Sequence, residues 1–336
     1  MYLSMVVFEE CLAEYHPRMT GHSDLIKIKF MGVQEAMEGQ EYLPDHMLLE
    51  HVEYFVSHPV PAAWGCLCIG EPPEDLFKNN ICLIFPENTD RTSLYHDVQK
   101  IFFLYNSWEM EIRKAMQRNA TLEEMCNLCI PIFEKPIFIH DRNNELLAIA
   151  NEMAGQFSWQ YDETFDKYYL PLEILNTFKS SDEYHKTLHT YGAHVFSAKA
   201  TGYRTLYVNL RIEWVYVGRV CLDEIGTPIR KRDYELLEFF ADNIALAMQQ
   251  GMLLVSDVSN VLSILFKEMI DGKSYTKNQL AKPFSYYKWH IDDMFQCITI
   301  FCRKSDNAIH TATNLTHRLA NMFPNSCVFR NEYQII

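Results

Sequence analysis

The sequence predicts a mixed α+β chain of several domains, and three observations carry that reading. Its 336 residues exceed the usual size of one hydrophobic core, so two or three domains are expected. Strand-like stretches alternate with helical ones near the start of the chain but come in hairpin-like pairs in the middle. Two long stretches carry apolar residues every three or four positions, the spacing of a helix buried along one side. The expected order is a small N-terminal α/β domain over 1–88, a connector helix over 89–120 and an antiparallel-sheet domain over 121–231. A long coiled-coil-like helix over 232–270 and a partial α/β domain over 271–336 follow.

Composition narrows the classes of function. At 48% hydrophobic and 22% charged, the chain is ordinary folded material. Thirty basic residues against 44 acidic ones, a net charge of -14, argue against this chain wrapping nucleic acid by itself. Its nearest approaches to basic runs, Arg230-Lys231-Arg232 and the spaced Arg113, Lys114 and Arg118, are short, flanked by acids and read as solvated faces. No basic leader with a small-residue cleavage site is evident, and no apolar run reaches the roughly 18 residues of a membrane span. Ten cysteines in such a chain read as reduced thiols, so a cytoplasmic location with no membrane partner is expected.

Taken in order, residues 3–15 have the pattern of a short amphipathic helix and residues 25–30 (LIKIKF) alternate as a half-buried strand does. Residues 45–55, after Pro44, read as helix; 64–69 and 81–85 read as strands bounded by turn residues. The helix over 93–118 places Leu94, Val98, Ile101, Tyr105, Trp108, Ile112 and Ala115 on one seam. That seam suits a partner helix, or equally its own domain. Thr121 with Glu124 three residues on is a capping-box signature. Residues 136–141 and 145–150 then form a strand pair across Arg142-Asn143-Asn144, and 204–210 with 214–222 form a second. Between the pairs lies an aromatic-rich irregular stretch over 157–169.

The stretch from 232 repeats Leu237, Phe240, Ile244, Ala247, Gly251, Leu254, Val258, Val261 and Leu265 in steps of three and four. Unbroken to Ile270 it would be about 58 Å long, a length that asks for a second copy of itself as partner. Gly251 and Ser256-Asp257 are the places where a kink is expected. Beyond the stop Asp271-Gly272, a helix over 278–281, a strand over 294–302, a helix over 310–322 and a strand over 326–330 are expected, as though a domain were cut short.

That last stretch is where a resemblance enters. Leu265-Phe-Lys-Glu-Met-Ile-Asp-Gly272 resembles the lead-in to the degenerate cyclase-like (GGDEF-like) domain of purine-catabolism-regulator (PucR/CdaR-like) transcription factors. Tyr287-Lys-Trp-His-Ile-Asp-Asp-Met-Phe-Gln-Cys-Ile-Thr-Ile300 and Phe323-Pro-Asn-Ser-Cys-Val-Phe329 are similar to its following stretches. Ile101-Phe-Phe-Leu-Tyr-Asn-Ser-Trp-Glu109, residues 122–141 and residues 234–248 are similar to the lead, start and final helix of the family's sensor. The resemblance implies a GAF/PAS-like sensor, a cyclase-like domain without activity and a C-terminal helix-turn-helix. Residues 303–336 do not supply that helix-turn-helix. DNA contact would therefore run only through a domain not present in this chain, leaving a small-molecule effector and a second copy of the chain as partners.

Several catalytic signatures are missing: no phosphate loop, no Gly-x-Gly-x-x-Gly, no Gly-x-Ser-x-Gly, no His-Glu-x-x-His and no Gly-Gly-Asp/Glu-Glu-Phe. No enzyme activity and no cofactor are expected. Cys126 and Cys129 have redox-motif spacing but fall on one apolar helix face, and Cys66, Cys68 and Cys82 suit a sheet core. His185 and His189 stand four apart with Asp182 and His194 near, a spacing that can serve a metal or an ordinary surface. Those histidines, or the Cys126/Cys129 pair, define the alternative of a metal- or thiol-dependent enzyme; a protein-binding scaffold is the other. For the sensor reading, the candidate ligand residues are Trp159, Tyr161, Phe165, Tyr169, Arg204, Tyr207 and Arg219. Aromatics can stack on a planar ligand and an arginine can pair a carboxylate or phosphate at two points.

Overall fold

The computed structural model describes every residue except 22, 36–41, 59, 143, 164–166, 213–214, 250–257, 286–287, 302–314, 317–318, 320–321, 324–325 and 332–333. The N-terminal part contains β1 (Leu3–Ser4), α1 (Met5–Cys11), β2 (Arg18–Gly21), β3 (Lys29–Phe30), β4 (Gly32–Glu35), β5 (His46–His51), α2 (Val52–Ser57), β6 (Gly65–Ile69), α3 (Glu74–Asn79) and β7 (Ile81–Phe85). Strands β4, β5, β6 and β7 run parallel, and β2 closes the edge beside β7 in the opposite direction. Such a sheet must be covered on both faces. Phe55 of α2 and Leu76 of α3 cover Leu48, Cys66, Cys68 and Cys82 on one side, while α1 and α4 (Arg91–Gln117) cover the other.

That double burial corrects the reading of residues 45–55. Met47 to Glu50 are all buried in the middle of the sheet, so the run is strand and the helix begins only at Val52. A continuous apolar run has no period that separates helix from strand. Residues 25–30 are corrected too: Ser23–Lys27 form a 3-10 turn, and strand is confined to Lys29–Phe30.

Helix α4 starts on Asp90, whose carboxylate accepts from the Ser93 amide. Its seam residues are buried within the chain itself. Phe102 meets Phe8 of α1 at 4.9 Å, and Trp108 meets Phe133 at 6.1 Å and Phe239 at 5.3 Å between ring centres.

The middle part begins with α5 (Leu122–Asn127), where Thr121 and Glu124 form the expected capping box, and α6 (Ile130–Phe133). Next come β8 (Ile137–Asp141), β9 (Leu146–Ala150), β10 (Gln160–Asp162), β11 (Lys167–Tyr169), α7 (Leu172–Lys179), α8 (Asp182–Thr187), β12 (Ala193–Phe196), β13 (Thr205–Ile212) and β14 (Val215–Asp223). Five of these strands form one antiparallel sheet in the order β12-β13-β14-β8-β9, with β10 and β11 as a separate hairpin. The first and last strands, β8 and β14, are neighbours at its centre. A Cβ at Gly218 would come within 2.2 Å of the His140 carbonyl oxygen, so glycine is what lets these two backbones approach.

Alternation splits this sheet into two faces. Ile137, Ile139, Leu206, Val208, Val220 and Leu222 enter the main core, against which α9 (Lys231–Gln249) packs. Leu237, Phe240, Ile244 and Ala247 of α9 are fully buried inside the chain, among the core residues that β13 and α1 also supply. The expectation that they form an open seam for a second copy is corrected: a three-four repeat marks a buried face without saying what buries it. Leu254 and Gly251 lie outside the described residues, while Val258, Val261 and the buried Leu265 fall on α10 (Val258–Ile270), which packs against β14.

The remaining segment contains α11 (Lys277–Ser285), β15 (Ile300–Phe301), β16 (Arg330–Asn331) and β17 (Gln334–Ile335), the strands pairing β15-β17-β16. The helix expected over 278–281 lies within α11. Of the strands expected over 294–302 and 326–330, Ile300–Phe301 and Arg330 alone are paired among the described residues. Most of the helix expected over 310–322 lies outside them. No helix among the described residues is long and apolar enough to cross a membrane.

Candidate ligand-binding site

The second face of the five-stranded sheet is unlike the first. Register places Phe138, Cys221 and Tyr207 in one row across β8, β14 and β13, and His140, Arg219 and Asn209 in the next. Phe178 of α7 and Tyr184 of α8 roof this face, stacked on each other at 4.5 Å, with Phe196 edge-on to Phe178 at 5.3 Å. Phe157 and Trp159 close one side, Trp159 lying 5.3 Å from Phe138 and 5.2 Å from Phe157. The result is a second apolar cluster, separate from the main core, with buried polar groups set into it.

Arg219 is the most constrained of those groups. Its guanidinium lies 4.7 Å from the Tyr207 ring centre, 5.1 Å from Tyr184 and 5.8 Å from Tyr216. Its Nε donates to Asn209 Oδ1 at 2.9 Å and its Nη2 to Thr187 Oγ1 at 2.7 Å. Asn209 Nδ2 in turn donates to the Thr187 carbonyl at 2.7 Å, so α8, β13 and β14 are tied at one point. Burial raises the Tyr184, Tyr216 and Cys221 groups above their ordinary values, keeping all three neutral.

Of the residues expected at a ligand, Trp159, Tyr207 and Arg219 are brought together here. Tyr169 is half-buried at the end of β11, its phenol pushed up to about 12 chiefly by burial. Arg204 goes elsewhere: it is half-exposed and forks onto Glu224, its Nε donating to Oε2 at 2.6 Å. Tyr161 is also corrected, standing exposed beside Tyr168 on the hairpin, and Phe165 lies outside the described residues. The residues that sequence reasoning missed, Tyr184, Tyr216, His140, Asn209 and Thr187, come from elements that only the sheet brings together.

His185, His189 and His194 are exposed, and no three metal-ligating side chains gather among the described residues. Cys126 and Cys129 are buried in the main core, and burial pushes both thiols up, away from thiolate chemistry. Cys66 is raised by its hydrogen bond with Cys82 and by burial, and Cys68 is pushed up to about 12 by burial.

Two buried titratable groups on the second face oppose each other in pH dependence. Burial, reinforced by the Arg219 charge, lowers His140 from 6.5 to about 4, and burial raises Asp223 from 3.8 to about 6. Between those limits the unfolded chain protonates His140 and the folded chain does not. Its contribution is therefore complete above 6.5 and lost as pH falls towards 4. Asp223 keeps its proton longer when folded, so it penalises folding increasingly as pH rises from 3.8 to 6. Each effect is worth roughly 3 kcal/mol. His140→Gln is expected to unmask the Asp223 slope, so that urea midpoints of the variant fall between pH 4 and 6 relative to those of the parent. Parallel curves for parent and variant would contradict this assignment.

No family model matches the chain, and no curated protein matches it. Among solved structures, the cofactor-binding GAF domain of the nutrient sensor CodY from Clostridium difficile is 12% identical, with 43% of this chain covering 97% of that one at a TM-score of 0.31. The phycoerythrobilin-bound GAF domain of a cyanobacterial phytochrome is 10% identical, over 44% of this chain and 96% of that one, at a TM-score of 0.34. The GAF domain of A. aeolicus nlh2 is 14% identical, over 44% of this chain and 94% of that one, at 0.26. At identities and scores this low the likeness carries no argument about what this chain binds. The chain is similar to GAF domains over part of its length.

Proposed function

We propose that the middle part is a small-molecule sensor of GAF type. In this reading the chain is the ligand-sensing and dimerising portion of a bacterial one-component transcriptional regulator of the PucR/CdaR-like kind. The observation that supports it is the second face of the sheet, where a roofed aromatic cluster encloses buried polar groups. The role is binding, not catalysis: the thiols are held protonated and the histidines are dispersed. DNA is reached through a domain outside these residues, and the domain division at 88, 120, 231 and 270 describes its working parts.

The relay follows from what lies behind the sheet. Helix α9 packs on β13, the strand that carries Tyr207 and Asn209 on its other face, and α10 packs on β14, which carries Arg219. A metabolite that fits one arrangement of that sheet better than another shifts these helices by no more than its difference in affinity. Because the α9 seam is spent within the chain, the homodimer uses other surfaces.

A thermal-shift screen of the whole chain against purines, aromatic acids and amines, sugar acids and nucleotides tests the reading. A true effector at 100 times its dissociation constant adds about 2.7 kcal/mol and raises the melting temperature. Stabilisation by divalent metals alone would overturn it in favour of a metal-dependent enzyme. A blank screen would leave a scaffold.

A further inference from the structure

We infer that the second face of the five-stranded sheet takes a small carboxylic acid with a flat or branched apolar body, and that Arg219 holds its carboxylate. The inference rests on the sensor reading and adds the class of ligand.

Arg219 is buried with neutral partners, Asn209, Thr187 and Tyr216, and it forms no ion pair among the described residues. Taking a cation out of water without an anion is costly, and the three tyrosine rings recover only part of that cost. In a chain with 44 acidic residues, a carboxylate could have been placed there and was not. Asp223, the carboxyl on the same face of the same strand, stands four residues away, about 13 Å along β14, and is engaged by Thr205 and Gln156. His140, directly opposite Arg219, stays neutral at pH 7 and supplies no charge of either sign.

An unmet hydrogen bond points the same way. The buried Trp159 Nε1 in the same neighbourhood has no acceptor among the described residues. It is a donor, as the guanidinium beside it is, so what completes the site must bring acceptors. Tyr207 and Tyr184 lie against the guanidinium, a group whose parallel N–H donors have the spacing that a carboxylate accepts. Phe138 and Phe157 beside Trp159 make the remaining surface apolar, suited to a hydrocarbon body and hostile to the second charge of a phosphate.

The test uses benzoate, indole-3-acetate and isovalerate, each beside its own amide, and phenyl phosphate, titrated against the whole chain by thermal shift at pH 7. At least one acid is expected to raise the melting temperature saturably while its amide does not. Arg219→Gln is expected to weaken that acid roughly 10- to 100-fold. The acid-against-amide comparison on the parent chain stands even if the variant folds poorly. Equal stabilisation by acid and amide would overturn the carboxylate assignment while leaving the sensor reading intact. Preference for phenyl phosphate, or undiminished acid binding by Arg219→Gln, would overturn it as well. If none of these probes binds, the assignment falls, and the broader metabolite screen alone decides the sensor reading.

Discussion

Lys135→Met is expected to cost about 3–5 kcal/mol, because it strands a carboxylate in the core. Lys135 lies in the turn before β8 and Asp233 in the first turn of α9; both side chains are wholly buried, with Nζ 2.9 Å from Oδ2. Lys135 also donates to the Phe133 carbonyl at 3.1 Å, and Asp233 Oδ2 accepts from the Arg230 amide at 2.9 Å. With the ammonium gone, Asp233 keeps one amide donor for a full negative charge. Its other oxygen, Oδ1, already has no partner among the described residues. Urea denaturation at pH 7 measures the loss. The double variant Lys135→Met/Asp233→Leu is expected to recover most of it, since a packed apolar pair replaces a buried ionic one at little cost. An unchanged midpoint in the single variant would mean that water reaches the pair. The bond pins the start of α9 to the residues that lead into β8.

Phe240→Ala is expected to cost a similar amount, about 3–5 kcal/mol, by opening a cavity where α9 meets the five-stranded antiparallel sheet. Phe240 is completely buried, one helical turn from Leu236, Leu237 and Ile244, which are equally buried. Denaturation midpoints and solution mass should be measured together. The fold requires a large fall in midpoint at every protein concentration. A seam open to a second copy would instead show a changed mass and a stability that depends on concentration.

Local features were legible in the residue order. The capping box at Thr121 and Glu124, the strand pairs around 137–150 and 205–223, and the helix over 91–117 each depend on neighbours within a few positions. Interior strand β5 was not, because burial on both faces erases the alternation that marks a strand. The candidate site was legible in part. An aromatic-rich stretch and arginines on strands can be read from sequence, and Trp159, Tyr207 and Arg219 do converge. Yet Arg204 and Arg219 look alike in the sequence; one faces Glu224 at the surface and the other is enclosed by Tyr184, Tyr207 and Tyr216.

By itself, the sequence determined that the stretches of α4 and α9 bury one face and that α5 begins after Thr121, since periodicity and caps act over one or two turns. It also determined the acidic balance. The tertiary structure alone decided what each buried face meets. The seams of α4 and α9 close on each other's neighbours within one chain, and β8 lies beside β14 some eighty residues later. That pairing sets His140 opposite Arg219 and leaves a guanidinium enclosed without an anion. Such a juxtaposition has no local signature, because it arises from contacts between segments whose separation in sequence carries no period.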